Sequence, residues 1–222
     1  MKKRIDIILP VFREEEVLRD FNQSLFQTIA MLTDAYRFRV IYVLDRSPDG
    51  SFQILKELAR DCREITILHL SRRFGHQVSL VAGIHQSRGD AAIMMDCDLQ
   101  HPPSMIPVLL GHFEEGYDIV QTVRAYGAGA SLAKRMASRL FYTVQNLMSP
   151  VPLRDGAADF RLISRKVVEV FQRDFKEHDP FLRGLFQWLG YSVAWVNFTS
   201  PARPAGATKY DIRRLALFFV DG

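Results

Sequence analysis

At 222 residues the chain is long enough to fold as one large domain with a full core. A hydrophobic fraction of 48%, a charged fraction of 24% and a net charge of +4 are ordinary for a globular protein, with a weak bias toward phosphate-bearing partners or an anionic membrane surface. Cys62 and Cys97 exclude a disulfide framework, and no apolar run approaches the ~18–20 residues that span a bilayer, so the expectation is a cytoplasmic or peripheral protein of a reducing compartment.

Apolar runs and helical periods alternate from the amino terminus. Met1-Lys2-Lys3-Arg4 is basic, but Asp6 and Pro10 interrupt the adjoining apolar residues and no leader is expected. Residues 4–9 read as a strand ended by Pro10, and residues 14–32 as a helix with Val17, Leu18, Phe21 and Leu25 on one side. Residues 38–44 form a second strand, followed by the turn cluster Asp45-Arg46-Ser47-Pro48-Asp49-Gly50. A helix over 51–59, a strand over 65–70, a helix over 78–87 and a strand over 91–95 come next. This alternation predicts a parallel sheet covered on both faces.

Beyond Phe113 the rhythm loosens. Residues 119–123 are strand-like, and residues 132–148 read as a helix with Lys134, Arg135 and Arg139 on a basic face. Pro150 and Pro152 break the chain, two more strands are expected over 160–163 and 192–198, and a helix over 181–189 lies between them. Residues 200–206 are a loop by composition. After it Ile212, Leu215, Ala216 and Phe219 recur at helical spacing, an amphipathic segment suited either to a membrane interface or to docking on the domain.

The chemistry concentrates in Asp96-Cys97-Asp98-Leu99-Gln100-His101-Pro102-Pro103, directly after the fourth strand. If strand geometry persists, Asp96, Asp98 and Gln100 share a face and Cys97 and Leu99 take the other. Two carboxylates and an amide oxygen make a hard half-shell for Mg²⁺ or Mn²⁺, with substrate phosphates completing the octahedron. The competing reading is a cap on the next helix. Ligands of open α/β sheets gather at the carboxyl ends of strands, which is where this motif lies.

Six ordered motifs carry a family resemblance that runs from about Ile5 to the carboxyl terminus. They are Ile8-Leu9-Pro10-Val11-Phe12-Arg13-Glu14-Glu15, Val43 to Ser51, Ser71 to Gln77, Asp96 to Pro103, Asp159-Phe160-Arg161-Leu162, and Gly206-Ala207-Thr208-Lys209-Tyr210. Together they resemble the family 2 glycosyltransferases, and within them the polyprenyl-phosphate sugar transferases of the dolichol-phosphate mannose synthase and bactoprenol glucosyltransferase group. The resemblance implies an α/β GT-A (Rossmann-like) fold, a mostly parallel central sheet flanked by helices with a carboxyl-terminal amphipathic segment. It implies a catalytic domain over residues 1–199. Residues 200–222 would form an acceptor- and membrane-proximal loop and helix, ending where full-length bacterial members continue into transmembrane helices.

The implied reaction is a metal-dependent, inverting transfer of a hexose from a UDP- or GDP-linked donor to a polyprenyl phosphate at the cytoplasmic membrane face. By position, Pro10, Phe12 and Glu14 line the base and ribose pocket and Asp45 bonds base or ribose. Asp98 is the direct ligand of Mg²⁺ or Mn²⁺, Gln100 assists, and Asp96 binds the metal, a metal-bound water or ribose. Arg124 with Lys134 or Arg135, and Ser138 one helical turn on, bind phosphates. Asp159 orients groups at the reaction centre and Arg161 binds the acceptor phosphate, with a buried structural Asp–Arg pair as the competing reading. Arg203, Lys209 and Tyr210 lie in a loop placed to close over both phosphates. His76 and Gln77 begin a helix near the site. His69, His85, His112 and His178 read as structural or surface residues.

The partners implied are a nucleotide diphosphate-sugar, a polyprenyl phosphate lipid and a membrane surface, with self-association left open and no nucleic acid. Two departures stand out: Leu44 replaces the first of the family's paired acids, and Arg46 occupies a position usually small. They keep two alternatives in view, an inactive nucleotide- or membrane-binding domain and a transferase to a saccharide or protein hydroxyl. A dinucleotide fingerprint at Gly127-Ala128-Gly129-Ala130-Ser131-Leu132 fails, because Leu132 stands where a third Gly or Ala belongs.

Overall fold

In chain order the elements are β1 (Lys3–Val11), α1 (Leu18–Ala30), β2 (Tyr36–Leu44), α2 (Ser51–Asp61), β3 (Ile65–His69), α3 (His76–Gln86) and β4 (Ala91–Met94). A 3₁₀ turn (Pro103–Met105) then leads into α4 (Ile106–Glu114), β5 (Ile119–Arg124), β6 (Ala157–Ser164), α5 (Arg165–Asp174), α6 (Leu182–Trp188) and β7 (Val193–Phe198). The computed structural model describes residues 1–125, 156–175 and 181–200. The helix expected over 132–148 and the amphipathic segment beyond residue 200 lie outside the described residues.

The strands form one sheet in the order β3-β2-β1-β4-β6-β5-β7. Only β6 among these runs against its neighbours, pairing antiparallel with β4 and β5, whereas the other pairings are parallel. The carboxyl ends of six strands and the amino end of β6 therefore share one edge.

Burial explains why these runs are strands. On β1, Ile5, Ile7, Leu9 and Val11 face one apolar layer with Leu18, Phe21 and Leu25 of α1, Leu55 of α2 and Ile106 and Leu109 of α4. Ile8 faces the other, formed with Leu80 and Ile84 of α3, Val167, Val168 and Phe171 of α5, and Leu182 and Phe186 of α6. A strand buried on both faces reads as a continuous apolar run. Helix α3 lies especially close: a Cβ at Gly83 would sit 2.2 Å from Ile8 Cγ2.

One expectation needs correction, and two helices were not expected. Pro10 does not end β1, which continues to Val11. Its backbone faces the β4 side, where β4 has already stopped at Met94, so the missing N–H forfeits no ladder bond. Its carbonyl accepts the Cys97 thiol at 3.3 Å instead. Helix α4 was hidden by Pro102, Pro103 and Pro107, yet a proline in the first turn of a helix gives up only a donor that has no partner there. Helix α5 was also unforeseen, since its apolar contacts reduce to Val167, Val168 and Phe171.

At the opposite, amino-terminal edge, Asp6 is 3% exposed. It accepts bonds from Arg39 Nε (2.9 Å) and Nη2 (2.7 Å), Ser87 Oγ (2.8 Å), and the N–H groups of Arg88 (2.7 Å) and Gly89 (2.9 Å). Burial alone would raise its pKa, but the Arg39, Arg88 and Ser87 bonds outweigh it and hold the carboxyl below its ordinary value. An acid held down by the fold stabilises above its unfolded pKa of about 3.9, and that stabilisation is lost as pH falls through the folded value. Asp6→Asn is expected to cost about 3 kcal/mol at pH 7. It should also flatten the acid limb of stability, as read by denaturant unfolding at pH 7, 5 and 3. An unchanged pH slope would count against this role for Asp6.

Candidate active site

The site is assembled at the shared carboxyl edge, from loops that the strands deliver there. The second loop comes first. Asp45, buried at the end of β2, is the residue expected to bond base or ribose. Its carboxylate also ties the second loop to the third: Oδ1 accepts the Phe74 N–H at 2.6 Å and Oδ2 the Gly75 N–H at 2.8 Å. Gly75 has φ +97° with nothing near its absent Cβ, so the backbone conformation, and not crowding, calls for glycine there. It caps α3, whose first residue is His76.

His76 Nε2 lies 2.7 Å from Asp96 Oδ1. Burial disfavours the charged imidazole, but the Asp96 hydrogen bond and charge outweigh it and raise the pKa of His76 above the ordinary value. Asp96 answers in kind. Burial would raise it, yet the His76 bond and the charges of His76 and Arg124 hold it well below the usual carboxylate range. Asp96 is therefore an ionised anchor at neutral pH.

The metal motif is not extended as expected. Strand β4 stops at Met94, and Leu99 takes a left-handed φ of +65°, so residues 96–100 turn. The turn is held from inside. The Asp96 N–H donates to His101 Nδ1 at 2.8 Å, the Gln100 N–H to Asp98 Oδ1 at 3.0 Å, and Ser200 Oγ to the Gln100 carbonyl at 3.0 Å. His101 accepts at Nδ1, so it is neutral with its proton on Nε2, and burial correspondingly lowers its pKa. Its ring stacks on Phe160 at 5.2 Å and meets Phe198 edge-on at 5.8 Å. Arg124, at the end of β5, reaches Gln100 Oε1 with Nη1 at 3.3 Å.

Asp159 enters from the amino end of β6. Its Oδ1 accepts Arg161 Nη2 (2.9 Å) and Arg183 Nε (3.1 Å), and its Oδ2 accepts Arg183 Nη2 (3.0 Å) and Gln77 Nε2 (3.3 Å). Burial pushes its pKa up, and the charges of Arg161 and Arg183 more than reverse this. Arg161, expected to bind the acceptor phosphate, is instead 1% exposed and lies 4.5 Å beneath the Phe186 ring. That is the competing reading, a buried pair: Arg161 holds Asp159, and Arg183 of α6, with its side chain 40% exposed, is the guanidinium that reaches the surface.

On the β1 side Arg73 lies over the Phe12 ring at 4.2 Å, and Glu14 donates its N–H to Ser51 Oγ at 3.2 Å. Arg46 Nη1 donates to the Ser71 carbonyl at 3.0 Å, tying the second loop to the third, and Leu44 is buried core. The positive-φ non-glycine residues among those described are Arg13, Arg46 and Leu99, all on loops of this edge. Such left-handed positions concentrate at functional sites.

The structure thus brings together Pro10, Phe12, Glu14, Asp45, Asp96, Asp98, Gln100, Arg124, Asp159 and Arg161. Lys134, Arg135, Ser138, Arg203, Lys209 and Tyr210 lie outside the described residues. Sequence reasoning missed His101 and Arg183. His101 had a signal, a ring directly after Gln100 in the acidic turn. Arg183 had none, because its partner is 24 residues away. Among the described residues no three His, Cys, Asp or Glu side chains converge as a ready-made metal cage. The donors present are the hard oxygens of Asp96, Asp98 and Gln100, which suit Mg²⁺ or Mn²⁺ when phosphate oxygens join them.

Comparison with known proteins bears on this edge. Residues 6–171 match the model of Glycosyl transferase family 2. The chain is 35% identical over 222 residues, all of its length and 69% of the relative's, to the uncharacterized glycosyltransferase sll0501 of Synechocystis sp.. It is 31% identical over 210 residues, 94% of its length and 67% of the relative's, to the bactoprenol glucosyl transferase of Shigella phage SfV. Among solved structures it resembles the mannosyltransferase PcManGT from Pyrobaculum calidifontis in complex with GDP-Man and Mn²⁺. That match has a TM-score of 0.63 and 17% identity, covering 100% of this chain and 66% of that one. The chain spans about two thirds of the length of the curated relatives it matches.

Proposed function

The chain belongs to glycosyl transferase family 2 and has the GT-A fold, and from that premise we propose that it transfers a hexose, with inversion, from a nucleotide diphosphate-sugar to a polyprenyl phosphate at the cytoplasmic face of a membrane. The observation that carries this reading is the likeness to a bactoprenol glucosyl transferase across 94% of the chain. Residues 1–199 would be the catalytic domain, and residues 200–222 the approach to the membrane.

Phe12 under Arg73, with Pro10 and Glu14, forms the wall where base and ribose would lie. Asp98, with Gln100 assisting and Asp96 behind it, would hold Mg²⁺ or Mn²⁺. When bound, that ion supplies positive charge against the departing diphosphate. Arg124 adds a fixed cation from β5, and Lys134, Arg135 and Ser138 would add further phosphate contacts. Arg203, Lys209 and Tyr210 would close over the two phosphates. His76 holds Asp96 ionised and oriented.

A lipid phosphate already presents an anionic oxygen near neutral pH, so this acceptor needs no general base. Asp159 fits that chemistry. A base poised for a hydroxyl acceptor has a pKa near the working pH, whereas Arg161 and Arg183 hold Asp159 below the ordinary carboxylate value. This favours a phosphate acceptor over a saccharide or protein hydroxyl, and leaves Asp159 to orient Arg183 and Gln77.

The test is calorimetric titration with UDP and GDP, each with and without Mn²⁺. Manganese-dependent binding of one nucleotide is expected and identifies the donor class. Folded protein that binds neither nucleotide in excess metal would overturn the donor site.

A further inference from the structure

The amino-terminal edge of the sheet carries a second concentration of charge. Arg4 of β1 and Arg37 of β2 are direct partners in the parallel ladder, as are Asp6 and Arg39 one pleat further on. Side chains at paired positions emerge on the same face, so two guanidiniums stand side by side. Like charges in that relation destabilise a sheet unless something lies between them. Arg88, from the turn between α3 and β4, joins them around a cavity of about 210 Å³ lined by Arg4, Asp6, Arg37, Arg39 and Arg88.

The carboxylate in this wall does not neutralise the cluster. Both Asp6 oxygens are consumed by Arg39, Ser87 and two backbone N–H groups. Nearby Asp90 uses Oδ2 on the Arg4 N–H at 2.7 Å. Among the described residues the guanidiniums of Arg4, Arg37 and Arg88 have no carboxylate within ion-pair distance. Three forks, each offering donors in a plane suited to phosphate, thus line one cavity with no ion-paired carboxylate among the described residues.

We propose that this pocket binds a small phosphate-bearing anion. It lies roughly 20 Å along the strands from the edge that carries Asp45 and Asp96. Its volume is below the roughly 300–1,000 Å³ of sites that enclose a drug-sized ligand, so it suits one or two phosphate groups and not a whole nucleotide. The same chemistry is offered by free phosphate or diphosphate and by the headgroup of an anionic phospholipid. Nothing in the family reading of the carboxyl edge requires it.

The experiment titrates the chain with inorganic phosphate and with pyrophosphate, in EDTA at low ionic strength, by calorimetry and thermal shift. Saturable binding that raises the melting temperature is expected. R4S/R37S should weaken it about tenfold or more, at the strength of charge-assisted hydrogen bonds. R60S/R63S, which removes the same charge elsewhere, should leave it intact. A parallel arm uses vesicles of phosphatidylcholine with and without phosphatidylglycerol; sedimentation that depends on Arg4 and Arg37 without phosphate binding would assign the anion to a lipid headgroup. No saturable binding in either arm, or equal weakening by R60S/R63S, would overturn the proposal. Unchanged circular dichroism of R4S/R37S, whose substituted side chains are exposed, separates lost binding from lost fold.

Discussion

Asp98→Ala is expected to lower sugar transfer about 10²–10³-fold, the scale on which removing one stabiliser of developing charge acts. The fold should survive. The Asp98 side chain is outside the apolar core and accepts the Gln100 N–H. Losing one such bond costs about 1 kcal/mol, a fall of roughly 2–4 °C in melting temperature for a chain of this size. Asp98→Asn keeps an acceptor for Gln100 but removes the charge, so it should keep the melting temperature and still lose transfer. In both variants nucleotide binding should no longer respond to Mn²⁺. Turnover near that of the unaltered chain would remove Asp98 as the metal ligand.

Removing Asp159 should instead act on the fold. Arg161 is buried, its Nη1 has no hydrogen-bond partner among the described residues, and Asp159 is its carboxylate partner there. Deleting one member of a buried ion pair strands the other and costs about 3–5 kcal/mol. Asp159→Ala should therefore lower the melting temperature by on the order of 10 °C. The double variant D159V/R161M, which removes both charges and replaces them with apolar side chains of similar size, should recover most of that loss. It should stay inactive, because Arg183 and Gln77 have lost their anchor. A single variant as stable as the unaltered chain would overturn the buried-pair assignment; a stable and fully active double variant would overturn the positioning role.

How much the chain disclosed in advance reflects the range of the forces involved. Strands buried on both faces must be apolar throughout, so β1, β2, β4 and β5 could be read as runs, and the motifs at their ends lie on one edge. The direction of β6 leaves no trace in composition, because a strand presents the same side chains to the core whichever way it runs. That reversal is what carries Asp159 to the carboxyl edge. The contacts that could not be read in advance depend on distant partners. Asp45 meets Phe74 and Gly75 across 29 and 30 residues, and Arg161 is covered by Phe186 of a later helix. Leu99 could not be foreseen as left-handed, since a leucine gives no warning of a positive φ.

The close seat of Gly83 on Ile8 ties the site to the core. Gly83 and His76 belong to one continuous helix, so α3 behaves as a rigid rod pressed against the sheet about two turns from the tip that holds Asp96. A methyl group at Gly83 would tilt the rod and swing its tip, although nothing at the tip had changed. The size of the side chain at position 8 therefore sets the alignment of His76 with Asp96, and variation between related chains at these two buried positions should be matched, small against large, to keep the tip where it is.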